Sequence, residues 1–170
     1  MKDVAKPFKK IIVAYDDSPA ARDALSVGIE LCSVLETSLE IVTVIEPPPA
    51  YAALVSVVNP DVARGIDMEW RQHCQEVVDS AVSEGQRRGV KVVGNLVEAD
   101  EVEGIVSFIR QKRADLLIIG SKQHSTHIAR LWSTVSGLEQ NAPCSVLAVH
   151  PPWNPGPTGN AEQSLTYASA

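Results

Sequence analysis

The alternation of short apolar runs with amphipathic segments predicts an α/β protein built on an open five-stranded parallel sheet with helices on both faces. Five runs rich in aliphatic and β-branched residues have the length of strands, and helical segments separate them. The runs are apolar throughout rather than alternating, as in sheets buried on both faces. A chain of 170 residues, 45% of them hydrophobic, is large enough to bury the core of one such domain.

The first two strands and the helix between them have clear limits in the sequence. Strand one is predicted over Lys9 to Tyr15, around an Ile-Ile-Val-Ala run. Helix one follows, with Ser18 as its N-cap and Pro19 as its first residue, and extends to about Leu35. Strand two, Leu39 to Ile45, ends before three prolines that remove the donors needed to continue a ladder.

The segment from Glu46 to Pro60 is apolar but bounded by prolines. One interpretation is a lid or partner surface that closes over a ligand or a second chain. The other is a short packed segment that closes one end of the sheet. The sequence leaves both interpretations open.

The second half of the chain continues the alternation. A long helix from about Val62 to Arg88 should end at Gly89 as a C′ residue. Its predicted buried stripe consists of Trp70, Cys74, Val77, Val78 and Ala81. The remaining predicted elements are a strand over Val90 to Val97, a helix capped by Asp100 with Glu103, a strand over Ala114 to Ile119, a helix over Thr134 to Asn141 and a strand over Cys144 to Val149. Helices of this length imply right-handed parallel crossovers.

Charge and composition argue against several classes of protein. The formal net charge is -6 and Lys and Arg form no cluster of the nucleic-acid-binding type, so DNA and RNA are not expected as partners. Apolar runs are too short to cross a bilayer, and the N-terminus leads into a strand rather than a signal-peptide core, which predicts a cytoplasmic protein. Cys32, Cys74 and Cys144 lack metal-site or CxxC spacing and are expected to be reduced. The Pro- and Gly-rich composition after His150 predicts a disordered tail over 151–170.

Three residues fall at the edge where open parallel sheets bind ligands, beyond the carboxyl ends of the strands. Asp16 follows strand one, Val44 lies near the end of strand two, and Gly120 follows strand four. The sequence therefore predicts that Asp16, Val44 and Gly120 converge on one crevice.

The segment between Gly120 and the next helix has the properties of an anion site. It ends at Ser133 and Thr134, where the free N–H groups and the positive end of a helix dipole favour phosphate. From Gly120 to Gly137 there is no Asp or Glu, whereas four residues are cationic or protonatable: Lys122, His124, His127 and Arg130. A nucleotide phosphate fits this pattern, and an ordinary N-cap after a solvated connector is the alternative.

Two segments resemble those of universal stress proteins. Lys9 to Ser18 resembles that family's opening strand and Asp-x-Ser turn, and Asn141 to Val149 resembles its closing segment. The resemblance covers nearly all of Lys9 to His150. It implies an adenine-nucleotide-alpha-hydrolase-like, Rossmann-like fold, a family domain over 1–150 and a stress-response role as a homodimer.

In nucleotide-binding members, the resemblance implies, ATP is held with Mg²⁺ by an Asp after strand one, by backbone at the end of strand two and by a Gly-x2-Gly-x9-Gly-Ser/Thr loop. Asp16, Val44, Gly120 and Thr134 match these positions. Gln123 and Ser133 replace the second and third glycines. Gln123 adds a side chain where the triphosphate would lie, whereas Ser133 keeps a hydroxyl donor. The alternatives are therefore ATP binding through Asp16, Val44, Gly120, Ser133 and Thr134, or a dimeric interaction protein without nucleotide.

Binding is expected rather than catalysis. His124 and His127 have no acidic or thiol neighbour in sequence. Asp16 and Asp17 together could bind Mg²⁺, but Asp17 and Ser18 also fit an ordinary Asx or N-cap turn, which is the favoured interpretation. An ATP-pyrophosphatase would need a glycine-rich loop after strand one, which Tyr15 to Pro19 lacks. A flavin-binding module is a third option. The edge strand Cys144 to Val149 is the predicted dimer contact, because pairing with a symmetry mate would cover it.

Overall fold

The computed structural model describes residues 7–47, 57–121 and 134–151, and in these ranges it confirms the predicted α/β architecture. The strands and helices alternate along the chain in the following order: β1 (Ile11–Ala14), α1 (Pro19–Leu35), β2 (Leu39–Ile45), α2 (Pro60–Arg87), β3 (Val92–Glu98), α3 (Glu101–Lys112), β4 (Leu116–Gly120), α4 (Thr134–Asn141) and β5 (Ser145–Val149). The strands form one parallel sheet in the order β3-β2-β1-β4-β5.

Helices cover both faces of the sheet because the central strands are apolar on both sides. Ile11 and Val13 of β1 face a core completed by α1 and α2. Ile12 faces the opposite core, which contains Ile109 of α3 and Leu138 of α4. Successive strand residues point to opposite faces, so the unbroken apolar runs of the sequence supply both cores.

Local signals predicted from the sequence mark the start of α1 and α3 and the end of α2. Ser18 Oγ accepts a hydrogen bond from the Ala21 N–H at 3.2 Å, and Pro19 is the first residue of α1. Asp100 accepts from the Glu103 N–H at the start of α3. Gly89 follows α2 with a φ of 78°, which is the left-handed conformation that favours glycine.

The N-terminal half of α2 differs from the prediction. The helix begins at Pro60 rather than Val62, because Asn59 caps it and a proline at the first position needs no N–H. Cys74 is buried as predicted, but Trp70 is 53% exposed, so the prediction of a buried Trp70 was wrong. The 28 residues of α2 span about 42 Å, almost twice the roughly 23 Å of the seven-residue β3, and the first turns extend beyond the core. No helix in the described ranges is long and apolar enough to cross a membrane.

Strand limits differ from the prediction by one or two residues. β3 begins at Val92 because the N–H of Val90 still bonds to the carbonyl of Gly85 in α2. β4 includes Gly120, and β5 begins at Ser145 rather than Cys144.

The cysteine thiols are all free. Cys32 and Cys74 are buried, and burial raises the pKa of the Cys32 thiol to about 11. At neutral pH this thiol stays protonated, and Cys32 acts as a small apolar residue of the core.

Several predictions concern residues outside the described ranges. These residues are the tail beyond 151, most of the segment between Glu46 and Pro60, Ser133, and the loop residues Lys122, Gln123, His124, His127 and Arg130. Their assignments remain predictions.

Candidate functional site

The strand order places a topological switch point at β1, which has β2 on one side and β4 on the other. Ala14 is level with Val42 of β2 and with Ile119 of β4. Beyond it, the Tyr15 N–H donates to the Val42 carbonyl at 2.9 Å, and the Thr43 hydroxyl donates to the Tyr15 carbonyl at 2.7 Å. The next residues along these strands are therefore held at one edge, where open parallel sheets form a ligand crevice.

Three of the residues predicted from the sequence lie at this edge. Asp16 immediately follows Tyr15, Val44 is the penultimate residue of β2, and Gly120 is the last residue of β4. Thr134 is the first residue of α4, and Ser133 lies outside the described residues. The sheet thus brings Asp16, Val44 and Gly120 to one edge by its register alone.

Asp16 forms the turn between β1 and α1. Its Oδ1 accepts a 3.0 Å hydrogen bond from the Ser18 N–H, and the residue is exposed. This is an Asx turn, in which one carboxylate oxygen orders the backbone. The turn directs an exposed carboxylate to the edge of the crevice, where it can accept hydrogen bonds from a ligand hydroxyl or amine.

Asp17 is part of a different polar cluster. Its backbone has a φ of 59°, and its carboxylate accepts hydrogen bonds from the Tyr15 hydroxyl at 2.9 Å and from two guanidinium nitrogens of Arg22 at 3.0 and 2.9 Å. Arg22, and then Tyr15, lower the pKa of the Asp17 carboxyl. These side chains occupy the Asp17 carboxylate. The Asx turn to Ser18 is made by Asp16 rather than by Asp17, and Ser18 is the N-cap of α1. In the described part of the chain, no three His, Cys, Asp or Glu residues are grouped as metal ligands.

The Tyr15 hydroxyl should make stability depend on alkaline pH. Burial first, and then the hydrogen bond to Asp17, raise the pKa of Tyr15 to about 12, above the ordinary tyrosine value of 10.0. The folded state favours the neutral phenol, so this contribution is complete below pH 10 and is lost as the pH rises towards 12. Denaturant unfolding across this window should show wild type losing stability relative to Tyr15→Phe. If the free energies of unfolding of wild type and Tyr15→Phe changed in parallel with pH, the Tyr15 hydroxyl would not be the group responsible.

Gly120 is in direct contact with the first turn of α1. A Cβ built on Gly120 would lie 2.2 Å from the backbone C and O of Ala20 and 2.7 Å from the N of Ala21. Backbone atoms at this distance leave no space for a methyl group. A glycine is therefore required here by helix–strand packing, whatever its role towards a ligand.

Val44 connects the crevice to α3. Its side-chain methyl carbons lie 3.4 and 3.5 Å from the position that a Cβ on Gly104 would occupy, and it packs against the core beneath α3 and α4. The side chain is thus directed to the protein interior. Val44 is half-buried, and its main chain lies near the end of β2 at the crevice edge.

Thr134 has a partner that the sequence analysis missed. Its hydroxyl donates a 2.7 Å hydrogen bond to Oε2 of Glu101, the first residue of α3. The capping pattern of Asp100 and Glu103 already placed an acidic first turn after strand three, at the same edge of the sheet. A search for acidic residues at that edge, rather than only in the Gly120–Gly137 loop, would have found Glu101.

A cavity of about 430 Å³ lies between α1 and α2, away from the α3–α4 face. Tyr15, Asp17, Arg22, Glu84 and Arg88 are among the residues that line it. Arg22 pairs with Asp17, Arg87 pairs with Glu84, and Arg88 pairs with Glu30 at 3.2 Å. These ion pairs account for the charges in the groove without a ligand.

The model of the universal stress protein family matches residues 7–150. The chain belongs to this family. A universal stress protein of Methanocaldococcus jannaschii is 25% identical over 154 residues, which cover 85% of this chain and 84% of the relative. The opening and closing segments that resembled the family therefore identified it correctly.

Solved structures of universal stress proteins share the fold. One from Burkholderia pseudomallei is 28% identical, with a TM-score of 0.62, and the match covers 83% of this chain and 95% of that one. A universal stress protein in complex with cAMP has a TM-score of 0.66 at 19% identity, with 84% and 97% covered. One from Archaeoglobus fulgidus in complex with dAMP has a TM-score of 0.60 at 18% identity, with 82% and 96% covered. The adenine-nucleotide-alpha-hydrolase-like fold of this universal stress protein is thereby confirmed.

Proposed function

We propose that this universal stress protein binds an adenine nucleotide in the crevice at the carboxyl ends of β1, β2 and β4. The supporting observation is the convergence of Asp16, Val44 and Gly120 on the edge next to the switch point. Two structures with the same fold were solved with cAMP and with dAMP. The fold and the position of the crevice both fit an adenine nucleotide.

Each residue has a distinct role in this proposal. The Asp16 carboxylate accepts hydrogen bonds from the nucleoside, and the main chain of Val44 lies against the base. The backbone at Gly120 passes close beneath the ligand. The phosphate lies near Thr134 at the start of α4, because the N–H groups of a helix N-terminus donate to anions. Ser133, the preceding residue in the sequence, is the other residue predicted to bind the phosphate. ATP with Mg²⁺ is one candidate nucleotide, and the protein acts by binding rather than catalysis.

Titration calorimetry of nucleotide-stripped protein tests this function. Asp16→Asn keeps an oxygen that accepts from the Ser18 N–H but removes the charge, so we expect about tenfold or more weaker binding of AMP and ATP. The matched control is Asp61→Asn, in which an exposed carboxylate on α2 loses its charge and affinity stays unchanged. Absence of binding to wild type at millimolar nucleotide would contradict the proposal.

We also propose that the protein is a cytoplasmic homodimer formed through β5. This strand lies at the edge of the sheet, and its Leu147 is 37% exposed. An edge strand with apolar side chains is stabilised by pairing with a second copy. The exposed edge strand also fits the alternative function, which is an interaction protein without nucleotide. The replacement of two family glycines by Gln123 and Ser133 favours this alternative.

Sedimentation analysis of two lysine variants tests the dimer. Leu147→Lys places a charge in the proposed contact, and we expect a monomer at micromolar concentration where wild type is dimeric. Val34→Lys, on α1, is the control because Val34 is 81% exposed and lies outside β5. A monomeric wild type, or a Leu147→Lys protein that remains dimeric, would rule out β5 as the interface.

A further inference from the structure

The N-termini of α3 and α4 meet at the hydrogen bond between Thr134 and Glu101. The Thr134 hydroxyl donates to Glu101 Oε2 at 2.7 Å, and both side chains are partly buried. One turn further along, the two helices are in close contact: a Cβ on Gly137 would lie 3.1 Å from a methyl group of Val102. The helix packing therefore holds the Glu101 carboxylate beside the first residue of α4.

This contact changes what Thr134 offers to a phosphate. A hydroxyl has one proton to donate, and Thr134 donates it to Glu101. The hydroxyl oxygen then presents lone pairs, and the adjacent carboxylate adds a negative charge. The carboxylate also lies where the positive end of the α4 dipole attracts an anion. A phosphate group that reaches Thr134 must compete with a carboxylate that the protein supplies.

Glu101 is also close to the part of the crevice assigned to the nucleoside. Gly104, one helical turn after Glu101, packs against Val44, with the methyl carbons of Val44 3.4 and 3.5 Å from a Cβ built on Gly104. A nucleoside held between Asp16 and Val44 therefore has the Glu101–Thr134 pair as a near neighbour. Each phosphoryl group added to that nucleoside carries further negative charge towards it.

We propose that Glu101 is a specificity-determining residue that makes the site prefer a nucleoside monophosphate to a nucleoside triphosphate. The inference rests on the proposed nucleotide-binding function. The Glu101 carboxylate repels the longer and more highly charged polyphosphate, and the Thr134 hydroxyl has already donated its only proton to Glu101. Both effects lower the affinity for a triphosphate relative to a monophosphate. A monophosphate carries less charge and does not extend as far towards the pair.

Calorimetric titration with AMP and with ATP, each with and without Mg²⁺, tests the preference. Wild type should bind AMP about tenfold more tightly than ATP, the size expected for one unfavourable charge contact in a partly exposed site. Glu101→Gln retains an oxygen that accepts the Thr134 proton but removes the charge, so ATP affinity should rise until the two nucleotides bind about equally. AMP affinity should rise by less, because its single phosphate carries less charge.

Glu103→Gln is the matched control, because Glu103 is an exposed carboxylate in the same first turn of α3. It should retain the wild-type ratio of affinities. An unchanged ratio in Glu101→Gln, or weaker binding of ATP with Mg²⁺ because Glu101 ligates the metal, overturns the inference while nucleotide binding stands. Failure of AMP and ATP to bind either protein overturns the proposed function and the inference together. Thermal unfolding verifies that both variants are folded.

Discussion

Replacement of Gly120 by alanine is expected to destabilise the protein by about 3 kcal/mol, at the upper end of the usual cost of overpacking. The added methyl group would meet the backbone C and O of Ala20 at 2.2 Å. A flexible side chain could rotate away from such a contact, but the backbone of a helix can only shift. Either β4 or the first turn of α1 must move, and that turn carries Ser18, whose N–H bonds to Asp16. The substitution should therefore disturb the crevice as well as stability.

Denaturant unfolding of Gly120→Ala beside Gly65→Ala measures this effect. Among the described residues, no atom outside the adjacent residues and the neighbouring backbone of α2 lies within 4 Å of a Cβ built on Gly65, which is in the exposed part of this helix. Gly65→Ala should be stabilising by up to about 1 kcal/mol, because alanine favours helix over glycine. Equal stability of the two variants would contradict the packing role of Gly120. Loss of nucleotide binding in Gly120→Ala alone does not identify a phosphate contact, since the methyl group deforms the turn.

Truncation of Leu138 to alanine should cost about 3 kcal/mol and should act first on α4. Leu138 is 0% exposed and is the buried residue of this eight-residue helix. A helix of this length has little stability of its own in water and depends on packing. Without the Leu138 side chain, α4 should open locally, and Thr134 should lose its fixed position beside Glu101.

Hydrogen exchange read by mass spectrometry distinguishes local opening from global destabilisation. Peptides from α4 in Leu138→Ala should exchange well before those from β1 and α1. Leu25→Ala is the control, since Leu25 is a buried residue of α1 in the opposite core. In this variant, α4 should exchange no faster than the segments around it. If α4 were as well protected from exchange in Leu138→Ala as in wild type, contacts other than those of Leu138 would hold this helix in place.

The sequence predicted the order and type of the elements because each relies on local patterns. Apolar runs mark strands that are buried on both faces, and Ser18, Asp100 and Gly89 bond or turn within a few residues of their own position. Trp70 was misplaced for a different reason. Helical periodicity assigns a face to each residue but not the point at which a 28-residue helix passes beyond the sheet.

The candidate site could be predicted only where strand topology determines it. Asp16, Val44 and Gly120 share an edge because parallel strands end together. The capping pattern could place Glu101 at this edge, but its bond to Thr134 joins residues 33 apart in sequence, and no local pattern indicates that bond. The contact of Gly120 with Ala20 likewise depends on how closely α1 approaches β4. Sequence reasoning attributed that glycine to phosphate, whereas its packing role became evident from the structure.

Backbone-amide NMR during a titration with AMP is the most direct test of the central claim that the crevice binds an adenine nucleotide. The amides of Asp16, Gly120 and Thr134 should shift together and saturate. The amide of Gly89, which precedes β3 at the opposite edge of the sheet, should not move. The absence of shifts at millimolar AMP, or shifts centred on α2 or β5, would contradict the account.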